Sequence, residues 1–225
     1  MKNSEKSTNL NYLEELLVTE NDKYVTLRLF CLLASTQTLT EVEIRTFWRK
    51  YLHQFGFANG FAFTNLVNAG FVPEPIQSSS SLNLQSKIKI PKFSSSNFYI
   101  NAKNLKQIPA DSDKVNLKYP TCASYVYGGA YIPLITQISG MILNSVPIDE
   151  IKAKLEVLGT FSMSNNRGYP LQTRSILIYV IGGITYAEIA ACNLLETLTG
   201  ARICILSDRI VTGNELMKGI LDFPK

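Results

Sequence analysis

Few residues in this chain could carry covalent chemistry, and their spacing works against it. His53 is the only histidine. That excludes a multi-histidine metal site and argues against a histidine-based triad. Four cysteines, Cys31, Cys122, Cys192 and Cys204, lie far apart with no close pair. The pattern argues against a disulfide scaffold or a zinc cluster and fits a reducing compartment. Ser207 and the cysteines lack a base, since His53 sits on a distant aromatic helix, so nucleophilic catalysis is disfavoured. Gly182-Gly183 follows an apolar run, where a dinucleotide fold would place phosphate. Tyr186 and Ala187 stand where further glycines would be needed, which favours a tight turn with close helix–strand contact. Asp208 has no companion acid and reads as a turn or capping residue. Glu188 lies three residues after Thr185, the spacing of a capping box. No catalytic residue, cofactor site or metal site is expected.

The elements that would position these residues fall into two parts. The chain has 225 residues, 46% hydrophobic and 18% charged, with a formal net charge of +4. This is the composition of a globular protein with a buried core, and the charge is too mild to demand a nucleic-acid partner. The balance shifts near residue 120. Up to Pro120 there are 14 Lys and Arg against 10 Asp and Glu; beyond it there are 8 of each.

Residues 10 to 70 read as helices. Leu10, Leu13, Leu16 and Leu17 lead in, and Leu27, Leu29, Leu32 and Leu33 form an apolar stripe. Thr40-Glu-Val-Glu43 is a capping box opening a helix with Ile44, Phe47, Trp48, Tyr51, Leu52 and Phe55 at helical spacing. Gly56 breaks it. A further helix carries Phe61, Phe63, Leu66 and Val67 and stops at Gly70. Pro73, Pro75 and Ser78 to Ser81 then read as a surface loop. The lysines from Lys87 to Lys118 make an extended basic strap, tethered at points such as Phe98, Leu105 and Ile108.

Tyr119 to Ile148 holds no charged residue and is long enough to cross a bilayer. Its glycines, Pro133 and polar side chains favour a buried segment of a core instead. Leu134 to Leu143 fits a helix, and Pro147-Ile-Asp-Glu150 opens another that ends at Gly159. After a polar loop from Ser162 to Thr173, Ile176 to Ile181 reads as a parallel strand covered on both faces. Thr185-Tyr-Ala-Glu188 opens a helix that Gly200 ends, Ile203 to Leu206 is the next strand, and Thr212-Gly-Asn-Glu215 opens a terminal helix. Strand, helix, strand, helix is half of a doubly wound sheet. Two such strands alone bury little, so the missing strands are expected from a larger protein or a partner.

The expected fold class is mixed α+β and α/β. A winged-helix-like helical module with a basic return loop occupies residues 1–119, and half of a doubly wound parallel α/β domain occupies 120–225. The aromatic set Tyr51, Phe55, Phe57, Phe61 and Phe63 is more than one short stripe needs, which leaves some residues to anchor a partner helix. An alternative is a winged-helix nucleic-acid-binding protein with an attached α/β module. Against it, the third helix carries no Arg or Lys near Phe57 to Phe63. A small nucleotide-binding enzyme built on the Gly182-Gly183 turn is a third reading.

Three wordings resemble a known family. Leu27-Arg-Leu-Phe-Cys-Leu32, Phe55-Gly-Phe57 and Asn65-Leu-Val-Asn-Ala-Gly-Phe71 are similar to a stretch of the Sec/Munc (SM) family of membrane-fusion regulators. Tyr125-Val-Tyr-Gly-Gly-Ala-Tyr-Ile-Pro-Leu134 resembles that family's return from its helical to its central domain, and Ile178 to Ile189 its final strand–turn–helix. Asn104-Leu-Lys-Gln-Ile-Pro109 and Gly-Ala-Tyr-Ile-Pro-Leu resemble the family's vacuolar-sorting branch, in its B form over its A form.

The resemblance implies a non-enzymatic scaffold, acting in endosome and lysosome tethering and in SNARE-mediated membrane fusion. The chain would correspond to the C-terminal part of such a protein: the end of its helical domain and the closing half of its central α/β domain. It would dock on a helical solenoid subunit of an endolysosomal tethering complex, with SNAREs as further partners and no nucleic acid. It would be cytoplasmic, held peripherally on late endosome and lysosome membranes through its partners. The family's docking surface maps onto Phe57, Gly60 and Phe61, with Gly60 where relatives often carry a larger residue.

Overall fold

A computed structural model describes residues 3–20, 22–72, 96–109, 116, 118–160, 162 and 174–221. The chain forms two compact units. One comprises Met1–Tyr99 with Gly213–Lys225, and the other Ile100–Thr212.

The first unit is helical. Helix α1 (Asn3–Thr19) buries Leu13 and Leu17, one turn apart on one face. Helix α2 (Lys23–Thr36) starts where the Asp22 carboxylate accepts from the Tyr24 amide at 2.8 Å. Its buried stripe is Leu27, Phe30, Cys31, Leu33 and Ala34. Leu32, expected in that stripe, is 59% exposed instead. Its two chain neighbours are both buried, and successive helical residues lie about 100° apart, so Leu32 falls outside the apolar arc.

Helix α3 (Glu41–Phe55) begins with the capping box read in the sequence. Thr40 Oγ1 accepts from the Glu43 amide at 3.3 Å, and Glu43 Oε2 accepts from the Thr40 amide at 2.6 Å. Ile44, Phe47 and Tyr51 are buried, and Phe47 stacks on Phe30 with ring centroids 3.9 Å apart. Gly56, at φ 91°, ends the helix. A single 3₁₀ turn, Phe57–Asn59, leads into α4 (Gly60–Asn68), which buries Ala62 and Leu66. Its end is a Schellman closure. The Phe71 amide donates to Leu66 O at 3.0 Å and the Gly70 amide to Val67 O at 2.9 Å.

The strands that a winged helix adds would fall beyond Val72. Residues 73–95, with Pro73, Pro75, Ser78 to Ser81 and the first three lysines of the expected basic strap, Lys87, Lys89 and Lys92, lie outside the described residues.

Ser96–Asn104 is a helix, α5, where the sequence led us to expect an extended strap, and its residues from Ile100 onward belong to the second unit. The helix buries Ala102, with Leu105 just beyond its end. Helix α6 (Leu134–Leu143) and α7 (Ile148–Leu155) follow the short turn Ala123–Tyr127. Ser162 to Thr173, read as a polar loop, lies outside the described residues except for position 162. Among the described residues no helix is long and apolar enough to cross a membrane.

Strands β1 (Ser175–Val180) and β2 (Arg202–Ser207) pair in parallel, with Leu177 opposite Cys204 and Tyr179 opposite Leu206. Helix α8 (Tyr186–Thr199) connects them and packs on β2 and α6. It opens with the second capping box, Thr185 with Glu188, and ends at Gly200 in the left-handed region. The sheet is not covered on both faces as expected. Ile176, Ile178, Val180 and Ile203 are partly or fully buried, while Leu177, Tyr179, Cys204 and Leu206 are exposed. The described residues of this unit supply only this one connecting helix between the strands, so one face stays open.

The terminal helix α9 (Gly213–Leu221) follows β2 in the chain but belongs to the first unit, where it packs on α2 and α4. Met217 enters the same core as Phe30 and Leu66. Asn65 Nδ2 donates to Ile220 O at 3.1 Å, and Arg28 to the Asn214 side chain at 3.0 Å.

Candidate functional site

The aromatic set divides by depth. Tyr51 is fully buried, Phe55 and Phe63 pack against the core from its edge, and Phe57 and Phe61 are 74% and 70% exposed. Backbone geometry explains the split. Gly56 stops α3 in a conformation that an L side chain rarely adopts, and the 3₁₀ turn then starts outside the α3 stripe. Asn59 pins this corner, donating from Nδ2 to Phe55 O at 2.7 Å, while Lys23 Nζ donates to Asn59 Oδ1 at 3.1 Å. Phe57 is therefore held exposed by an ordered turn, and Phe61 follows it in the first turn of α4. A side chain at Gly60 would meet no atom within 4 Å.

Beside these rings lies an open recess of about 230 Å³, lined by Trp48, Leu52, His53, Phe57 and Phe63 with Arg45 and Arg49. His53 stands edge-on to Phe57, with ring centroids 5.8 Å apart. Phe57 and Phe61 were named as anchors through the family resemblance, and their exposure is what the structure adds. The recess and its arginines were missed, although their four-residue spacing along α3 was available as a signal.

The other candidates serve structure. Gly182 and Gly183 have φ of 100° and 128°. The turn lies against residues 209–211, where the Ile184 amide donates to Arg209 O at 3.0 Å and the Val211 amide to Ile184 O at 2.9 Å. A Cβ at Gly183 would come within 2.7 Å of Val211 Cγ1, so close backbone approach requires glycine here. Asp208 ties the same corner, accepting from the Tyr179 hydroxyl at 2.6 Å and the Gly182 amide at 2.9 Å. The Tyr179 hydroxyl, and then the Gly182 amide, hold its carboxyl below the usual range. Ser207 Oγ lies 3.1 Å from both Val180 O and Arg209 O.

Glu188 closes its capping box with Thr185. All four cysteines are free. Burial pushes the Cys31 thiol up to about 12. Burial also raises Cys192, against a partly offsetting contact with Thr136 at 3.2 Å. Among the described residues no group of three His, Cys, Asp or Glu side chains could hold a metal ion.

Comparison with known proteins matches residues 1–219 to the Sec1 family. The chain is similar to vacuolar protein sorting-associated protein 33B of Danio rerio, 28% identical over 235 residues, covering 94% of this chain and 38% of that protein. It is similarly related to the 33B protein of Homo sapiens, 28% identical with 93% and 38% covered. The 33A protein of Rattus norvegicus is 24% identical, with 95% and 34% covered. The higher identity to the B form agrees with the sequence wordings. The chain spans less than two fifths of the length of the curated relatives it matches.

Proposed function

This chain belongs to the Sec1 family, and from that premise we propose that it is a non-enzymatic SM-type scaffold in vesicle trafficking. It acts in endosome and lysosome tethering and SNARE-mediated membrane fusion, docked on the end of a helical solenoid subunit of a tethering complex. It works in the cytoplasm and reaches late endosome and lysosome membranes through that partner. Phe57, Gly60 and Phe61 form the docking surface, and the α/β part serves as a rigid platform.

One observation carries the proposal: two large aromatic side chains are exposed in succession, Phe57 on the 3₁₀ turn and Phe61 in the first turn of α4, next to an apolar recess. Exposed aromatics clustered this way are the usual anchors of a protein interface, because each buries a large apolar area with few side-chain torsions to fix. The name of the relatives, vacuolar protein sorting-associated protein 33, supports the trafficking setting. The nucleic-acid alternative draws no support from residues 57–68, which contain no Lys or Arg.

The test is co-purification from cells of the tagged full chain, wild type against Phe57→Asp and Gly60→Lys. The wild type should retain a helical solenoid subunit of an endolysosomal tethering complex after a salt wash. Both variants should lose it while keeping the wild-type melting temperature, since both positions are open to solvent. Retention of that subunit by both variants would remove these residues from the interface.

A further inference from the structure

We propose that the recess beside Phe57 receives an amphipathic partner helix whose apolar stripe is flanked on one side by carboxylates. This inference rests on the docking function proposed above and specifies the chemistry of what docks.

The argument starts from spacing. Arg45, Arg49 and His53 recur every four residues on α3 and line the same recess. Such residues form one row along a helix, about 6 Å apart. Trp48 and Leu52 recur at the same interval and form an adjacent row, while Phe57 and Phe63 complete the lining. The recess is therefore an apolar strip bordered by a row that carries two arginines, referred to below as the rail. Among the described residues no carboxylate lines it.

The two arginines differ in commitment. Arg45 pairs with Glu41 at 2.5 Å, one turn back on α3. Arg49 is exposed and makes no ion pair with any described residue. Lys50, next in the chain, is engaged elsewhere, with Glu14 at 2.7 Å. A helix lying along α3 with its apolar stripe on Trp48 and Leu52 would bring its flanking positions against Arg49. Carboxylates four residues apart on that flank match the rail's repeat, whereas lysines there would meet like charge. Nucleic acid fits less well. Beyond the arginines of α3, the exposed rings, the 3₁₀ turn and α4 add no cation along which a phosphate backbone could run.

The full chain would be titrated by fluorescence anisotropy with three synthetic helices of identical apolar stripe. Their flanking positions would carry Glu, Gln or Lys at four-residue spacing, and a short DNA duplex would serve as a fourth probe. The Glu-flanked helix should bind most tightly. Arg49→Gln should weaken it roughly two- to fivefold and leave the Gln-flanked helix unchanged. Arg49→Glu should transfer the preference to the Lys-flanked helix. Raising salt from about 50 to 300 mM should narrow the Glu-over-Gln advantage.

Phe57→Ala and Phe61→Ala should weaken all three helices alike. Equal binding of the three helices, with Phe57→Ala still disruptive, would overturn the charge complementarity and leave the docking surface standing. Binding indifferent to Phe57→Ala and Phe61→Ala would remove the docking surface itself. Tighter binding of the duplex, or no binding of any helix, would also overturn the proposal.

Discussion

The Gln107 side chain donates from Nε2 to the Tyr131 hydroxyl at 2.8 Å, and the Ile132 amide donates to Gln107 O at 2.7 Å. Both residues sit in wordings that resemble the same family, Asn104 to Pro109 and Gly129 to Leu134. One segment holds the other, because a buried amide side chain bridges residues 24 positions apart. Gln107 is 5% exposed, so its loss strands the Tyr131 hydroxyl and opens a small void. Gln107→Ala should cost about 1–3 kcal/mol in urea unfolding. Tyr131→Phe should cost less, since Gln107 Nε2 keeps Ile132 O within 3.4 Å. A loss below about 0.5 kcal/mol for Gln107→Ala, the size of an ordinary surface change, would contradict the bridge.

Tyr51 presents the opposite case. It is fully buried, and its hydroxyl has no hydrogen-bond partner among the described atoms. Tyr51→Phe removes an orphaned polar group without opening a cavity, so stability should stay level or rise by up to about 1 kcal/mol. The pH dependence has a defined sign. Burial, then the charges of Tyr24 and Asp22, push the Tyr51 phenol above its ordinary value. Burial also raises Tyr131. A group raised in the folded state stabilises fully below its unfolded pKa, about 10 for tyrosine, and that contribution is lost as pH rises through the folded value. Unfolding curves between about pH 9 and 11 should show falling stability, with a shallower fall in Tyr51→Phe. An identical slope in the variant would remove Tyr51 from the alkaline limb.

Two glycines separate backbone need from open space. Gly183 combines φ of 128° with a Cβ position 2.7 Å from Val211 Cγ1 and 3.3 Å from Arg209 O. Gly183→Ala should cost about 2–5 kcal/mol from strain and overpacking together. Adding Val211→Ala should restore only part, because the backbone strain and the Arg209 carbonyl remain. Gly60, at φ −57° with open space around it, behaves in the reverse way. Gly60→Ala should be neutral or stabilising by about 0.4–1 kcal/mol. Thermal melts of the four proteins decide both claims, and a neutral Gly183→Ala would refute the close-approach account.

How much of this could be read in advance depends on the range of the interaction. The boxes at Thr40 and Thr185 are local: the residues that satisfy the free amides sit three positions apart, so the text itself contains the bond. Gly56 and Gly200 were legible for the same reason. Burial was not. Leu32 differs from Leu33 only by its angle around α2, which a list of leucines does not resolve. Helix α5 was missed because Asn97, Asn101 and Asn104 are weak helix formers, and burial of Ala102 and Leu105 overrides that local preference. At the proposed docking surface, Phe57 and Phe61 were named through the family resemblance, since the aromatic pattern alone does not separate them from the core. Their separation from Tyr51 follows from the Gly56 turn, and the arginine rail beside them emerges only when α3 and the turn are seen side by side.

The exposed sheet face gives the last prediction a direct chemical reporter. Cys204 lies opposite Leu177 in the β1–β2 register and is exposed, with Leu177, Tyr179 and Leu206 on the same face 69%, 61% and 49% exposed. A contiguous apolar face of this kind marks an interaction surface or an aggregation hazard. Cys31 and Cys192 are buried, and burial holds both thiols protonated well above neutral pH. Since the thiolate is the nucleophile, brief alkylation of the purified chain at neutral pH should modify Cys204 first. Cys122, half-buried, should follow, and Cys31 and Cys192 should react only on unfolding. Mass spectrometry of peptides reads each site. Labelling in cell extract then distinguishes two states of the face. Protection of Cys204 with Cys122 still reactive would mean that another surface covers Leu177 and Tyr179. Equal Cys204 labelling in extract and in the purified chain would mean the face stays bare, and a Leu177→Lys variant should then improve solubility without lowering the melting temperature.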